Sequence, residues 1–214
     1  MVVAGHYQLQ RSAYNAFRPI DFVFAGNTPV ATQVYVNFLV YRQIVIAYWI
    51  IPTEPARSYF QNVIRDLAQR YDAPLFEPHV TIHVGANYAD TVDRALSKVA
   101  KDNEQIPLQP LEVSSSPEFI KTFFVQFAMN RQLKQINQSI RATEKESSEY
   151  QVNPHLSLLY KRMSIQDRRL LTGSIEVPFP EVAFDSLKAV RCISPTESRA
   201  DVEAWCVLAT QKLS

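Results

Sequence analysis

Glu77-Pro78-His79-Val80-Thr81-Ile82 and Asn153-Pro154-His155-Leu156-Ser157-Leu158 are one pattern written twice. Each runs polar, Pro, His, apolar, hydroxyl, apolar. Alternation of this kind is the period of a strand, in which residues i and i+2 share a face about 6.6–7 Å apart. His79 therefore shares a face with Thr81, and His155 with Ser157. Val80, Ile82, Leu156 and Leu158 face the core. Each copy offers one imidazole and one hydroxyl to a common cleft.

Outward from these two strands, helices alternate with strands. Ile44–Ile51 is a β-branched and aromatic run stopped by Pro52, the mark of a buried strand. Pro55 opens a helix over 56–71, with Tyr59, Phe60, Val63, Ile64 and Leu67 on one face. Residues 89–102 form a helix with Val92, Leu96 and Val99 inward. Extended segments at 108–113 and 123–127 follow, then a helix over 130–145 built on Leu133, Ile136 and Ile140. The strand of the second histidine motif comes next, then a short helix over 164–172 and two or three strands around 181–193 and 202–211. The second half repeats the rhythm of the first, with no linker between them. The class is α+β or α/β, one domain, with two lobes.

Composition narrows the chemistry. The 214 residues include 22 basic and 21 acidic side chains, a net charge of +1 that argues against a protein gripping polyanions through bulk charge. Only 4 glycines are present, and no glycine-rich phosphate loop occurs. Two cysteines exclude a disulfide scaffold or a cysteine-rich zinc module. The uncharged stretch 22–41 is interrupted by Asn27, Thr28, Pro29, Gln33 and Asn37, so it does not read as a membrane span. Residues 1–43 differ in composition from the rest and are expected to be an N-terminal extension to a domain over 44–214.

Two imidazoles and two hydroxyls around one small volume suit phosphodiester chemistry. A neutral imidazole takes a proton from attacking water, and a protonated one gives a proton to the departing ribose oxygen. An ordinary pKa near 6.5 makes both forms available at neutral pH. The hydroxyls donate to non-bridging phosphate oxygens. No metal or other cofactor is required. A single His-x-Thr on a strand is ordinarily a core histidine; the doubled motif, with the same proline and the same apolar flanks, argues for function.

The paired motifs resemble those of the 2H phosphoesterase superfamily, and the strings FEPHVTIHVG and NPHLSLLY resemble its cyclic phosphodiesterase-like branch. The resemblance runs from IVIAYWIIP through KTFFVQF to DVEAWCVLA, about residues 44–212. It implies an α+β bilobal fold of two antiparallel sheets lining a central cleft, helices outside. It implies hydrolysis of a 2′,3′-cyclic nucleotide, or of ADP-ribose 1″,2″-cyclic phosphate, to a monoester. Carried over by position, it makes His79 and His155 the acid–base pair and Thr81 and Ser157 the phosphate ligands. Trp49 and Tyr160 then line the substrate site.

The expected partner is a small nucleotide, with RNA 3′ ends the alternative, as in 2′-5′ RNA-ligase-like relatives. A non-enzymatic nucleotide-binding module is the third reading. A cytoplasmic monomer without membrane contact is expected. His83 falls on the His79 face in strand geometry, about 13 Å along, too far to share an ion with it; a cleft-rim or surface position follows. His6 is assigned no role. Lys121, Lys161 and Arg162 sit at strand ends and are candidate phosphate-proximal charges, a charge at a strand end being more often simply solvated. Cys192 and Cys206 lie on successive tail strands and are expected to be buried free thiols.

Overall fold

The computed structural model describes residues 42–86, 89–144 and 148–213. His6 and the extension expected over 1–43 lie, up to Tyr41, outside them. The chain begins with β1 (Gln43–Pro52), α1 (Ala56–Tyr71), β2 (Val80–Ala86) and α2 (Ala89–Asp102). Next come β3 (Ile106–Leu108), β4 (Pro110–Ser115), a 3₁₀ turn over Phe119–Lys121, β5 (Phe123–Phe127) and α3 (Arg131–Arg141). β6 (His155–Leu159), α4 (Ile165–Thr172), β7 (Val182–Ser194), α5 (Arg199–Glu203) and β8 (Cys206–Lys212) complete the fold. The tail differs from expectation at α5, where Ser198 and Asp201 form a reciprocal capping box that starts a short helix between the last two strands.

All strand pairs are antiparallel, in the order β3-β7-β1-β2-β6-β5-β4, with β8 on β7. The two halves of this sheet meet through one registered pair, Val80 with Leu156. The α+β class holds, and where two sheets were expected the strands form one continuous antiparallel sheet whose halves join between the two histidine motifs.

One large core lies under the helices. Phe60, Ile64 and Leu67 of α1, Val92, Leu96 and Val99 of α2, and Leu133, Ile136 and Ile140 of α3 pack on Tyr48, Ile50, Val80, Ile82, Val125, Leu156 and Leu158. These are the inward helical faces read from 3–4 spacing. A smaller cluster, Val45, Ala47, Trp49, Ile51, Val190 and Cys192, covers the opposite face of β1 and β7. Among the described residues, no helix is long and apolar enough to cross a membrane.

Candidate active site

Continuing the Val80–Leu156 register by one residue sets His79 across from Ser157 and Thr81 across from His155. Antiparallel pairing carries a local two-fold through that pair, so the two imidazoles stand on the diagonal, about 7–8 Å apart at their origins. All four polar residues share the face opposite Val80 and Leu156, both fully buried in the main core. The four residues are thus gathered by the strand pair that joins the two halves.

Both histidines are anchored alike. His79 Nδ1–H donates to the Glu77 carbonyl at 2.6 Å, and His155 Nδ1–H to the Asn153 carbonyl at 2.7 Å. A carbonyl can only accept, so each bond fixes the tautomer and leaves Nε2 as the nitrogen with the free lone pair. The acceptor is in each case the residue before the motif's proline, which proline holds extended. Those acceptor residues are pinned in turn. The Glu77 carboxylate takes Lys188 at 2.6 Å and Arg57 at 2.8 Å, while Gln126 Nε2 donates to Asn153 Oδ1 at 2.9 Å and the Pro154 carbonyl at 2.8 Å.

Burial pushes both imidazoles down to about 4. The carbonyl bonds act against that shift, while His155 and Lys188 add to it at His79 and Lys121 adds to it at His155. The ordinary imidazole value invoked from sequence therefore does not hold for these buried rings, both of which are neutral at pH 7. An anionic phosphate between them raises both.

The hydroxyls differ. Among the described residues the Thr81 hydroxyl has no hydrogen-bond partner, whereas Ser157 Oγ donates to the Ile120 carbonyl at 2.8 Å. Trp49 is 4% exposed and stacks on the His79 ring at 3.7 Å, and Tyr160 is 3% exposed and stacks on Phe76 at 3.8 Å. Both ring systems wall the site, but those faces are already covered by protein. Trp205 stands edge-on to Trp49, His79 and Tyr160, at 5.2, 6.0 and 5.8 Å. Among the described residues no group of three or more His, Cys, Asp and Glu is gathered as a metal site.

His83 departs from expectation. Tyr48 pairs with His83 and the next residue, Trp49, pairs with Thr81, so β2 carries an extra residue at Ile82. Such a bulge breaks the alternation. Thr81 follows Trp49 to the cleft face, and His83 follows Tyr48 to the helix face, fully buried. There Asn137 Nδ2 donates to His83 Nδ1 at 3.0 Å and Nε2 lies 3.0 Å from Glu144 Oε1. Cys206 is also corrected: both thiols are free, but only Cys192 is buried. Arg191 pairs with Cys206, which puts Cys192 one position out of register.

Sequence reasoning missed Phe76, Phe124, Lys188 and Trp205. Strand alternation could have found two of them. Phe123, Val125 and Phe127 belong to the core, so Phe124 faces the other way, opposite Ser157. Lys188 pairs with Trp49 and shares its face.

Residues 44–213 match the family described as cyclic phosphodiesterase-like protein. The chain belongs to that family. A curated relative, the cyclic phosphodiesterase of Arabidopsis thaliana, is 21% identical over 174 residues, covering 79% of this chain and 96% of its own. The solved structure of TT0787 of Thermus thermophilus is similar at a TM-score of 0.53 and 12% identity, covering 79% of this chain and 97% of its own. E. coli LigT in apo form gives a TM-score of 0.48 at 17% identity, covering 81% and 99%. At 12% identity the TT0787 likeness is one of fold alone.

Proposed function

We propose that this cyclic phosphodiesterase-like protein hydrolyses a small cyclic phosphodiester, a 2′,3′-cyclic nucleotide or ADP-ribose 1″,2″-cyclic phosphate, to a monoester without a metal. The observation that carries the reading is the matched pair of Nδ1–H bonds to Glu77 and Asn153, which anchors both rings alike and leaves each Nε2 free of that bond. A module that only binds nucleotide has no need of two oriented proton-transfer groups. The phosphodiesterase family and its Arabidopsis relative, named for this reaction, support the same class.

Water attacks phosphorus and loses its proton to Nε2 of one neutral histidine. The bond from phosphorus to one ribose oxygen breaks, and that oxygen takes the proton held on Nε2 of the other. One water is consumed, the two histidines exchange protonation states, and exchange with solvent resets them. Thr81 and Ser157 donate to non-bridging oxygens, Ser157 by turning from the Ile120 carbonyl. Trp49 and Tyr160 bound the substrate pocket on the His79 side.

The test incubates 2′,3′-cyclic AMP, and separately an oligonucleotide ending in a cyclic phosphate, with the protein and with or without a chelator. Turnover of the mononucleotide, undiminished by chelator, is expected. Turnover of the oligonucleotide alone would assign RNA-end processing, and nucleotide binding without product would assign a binding module.

A further inference from the structure

Lys121 ends the 3₁₀ turn whose Ile120 carbonyl holds Ser157. Its ammonium lies over the Phe124 ring, 4.4 Å from the centroid. Phe124 pairs with Ser157 across β5 and β6, and its ring meets His155 edge-on at 5.6 Å. The cation is therefore laid on the cleft face beside His155, half-buried, and close enough to act on that imidazole. Among the described residues no carboxylate is within ion-pair distance of it. Lys188, the corresponding cation near His79, is instead tied to Glu77 at 2.6 Å. A half-buried ammonium seated on an aromatic face, with no carboxylate among the described residues in ion-pair contact and only the charge of Glu118 nearby, is poised for an anion.

Resting on the reading above, we propose that Lys121 is a further catalytic residue of this cleft, its ammonium contacting a non-bridging phosphate oxygen beside His155. It stays protonated throughout and compensates the charge that builds on the equatorial oxygens as water adds to phosphorus. Burial already pulls its own pKa down, against the nearby charge of Glu118, so an anionic partner relieves an incompletely solvated cation. Lys188 differs in that its ammonium is held by the Glu77 carboxylate at 2.6 Å.

The experiment compares wild type with Lys121→Gln and Lys121→Arg. It measures kcat on 2′,3′-cyclic AMP, inhibition by inorganic phosphate and the His155 titration by histidine NMR. Thermal midpoints confirm that the variants fold. Lys121→Gln should lower kcat about 100-fold, the scale for losing one oxyanion donor, and weaken phosphate inhibition. It should also raise the His155 titration, because a neighbouring cation is gone. Lys121→Arg should recover most of the rate and of the phosphate affinity. A folded Lys121→Gln that keeps the wild-type rate and phosphate inhibition would overturn the proposal, as would an arginine variant as impaired as the glutamine one. Should wild type turn over no cyclic nucleotide, phosphate binding, followed by phosphorus NMR, still decides. Lys121-dependent binding upholds the contact while the reaction fails, and Lys121-independent binding refutes the contact as well.

Discussion

The indole of Trp49 lies flat on the imidazole of His79, their planes 14° apart and their centroids 3.7 Å apart. One face of the imidazole is thereby shielded from water, and the ring is held between this stack and the Glu77 carbonyl. Trp49→Leu should lower kcat by about 10- to 100-fold, the cost of a small misplacement of a reacting group. It should also raise the His79 titration, because burial is the largest cause of its depression. Trp49→Phe should fall between leucine and wild type. Steady-state kinetics and histidine NMR check both effects.

Acid should favour turnover. The proposed reaction needs one proton on the histidine pair, and burial pushes both groups down to about 4. Above that value the singly protonated population falls about tenfold per pH unit, so kcat/KM, which reports the free enzyme, should decline steadily from about pH 5 to 7. A value that rises over this range would contradict the assignment. Stability runs the other way. A histidine whose folded pKa lies below 6.5 is neutral in the fold, and the unfolded chain binds more protons as pH falls through 6.5 toward 4. The fold therefore loses stability over that window, by up to about 1.4 kcal/mol per pH unit for each group. Histidine-to-glutamine variants should flatten the thermal midpoint there.

The two hydroxyls should not be equivalent. Thr81 has no partner to release among the described residues, while Ser157 must leave the Ile120 carbonyl to reach a phosphate. Thr81→Val should therefore reduce kcat/KM more than Ser157→Ala does. Equal losses, measured on the same substrate, would show that the Ile120 bond makes no difference to the reaction.

Much of this was legible in the sequence because the determining signals are local. The inward faces of α1, α2 and α3 follow from 3–4 spacing, and the shared face of His79 and Thr81 from strand alternation. His83 was misplaced by the same alternation. The bulge at Ile82 is a property of the β1–β2 pairing, in which Trp49 skips to Thr81, and no residue in VTIHVG announces it. The anchoring of Glu77 by Lys188 was hidden for a similar reason, since it joins residues far apart in the chain. Lys121 reads from sequence as a strand-end charge with a phosphate-proximal alternative, and its seat on Phe124 beside His155 depends on the pairing of β5 with β6, which joins residues far apart in the chain.

Gly85 is fixed by the His83 network. A Cβ there would come within 1.5 Å of Glu144 Oε1, which lies beside the buried His83. Gly85→Ala should destabilise the fold by about 1–3 kcal/mol in urea unfolding, the range for overpacking a filled interior. Combined with Glu144→Ala, it should cost less than the sum of the two single changes, because the clash is then removed.

The central claim, that two oriented imidazoles open a cyclic phosphodiester, is tested most directly by phosphorus NMR of 2′,3′-cyclic AMP. The measurement compares wild type, His79→Ala and His155→Ala. The account predicts conversion of the cyclic resonance to a phosphomonoester by wild type. It predicts turnover reduced by about 10²–10⁴-fold in each variant. Conversion at a near-wild-type rate by both variants would contradict it.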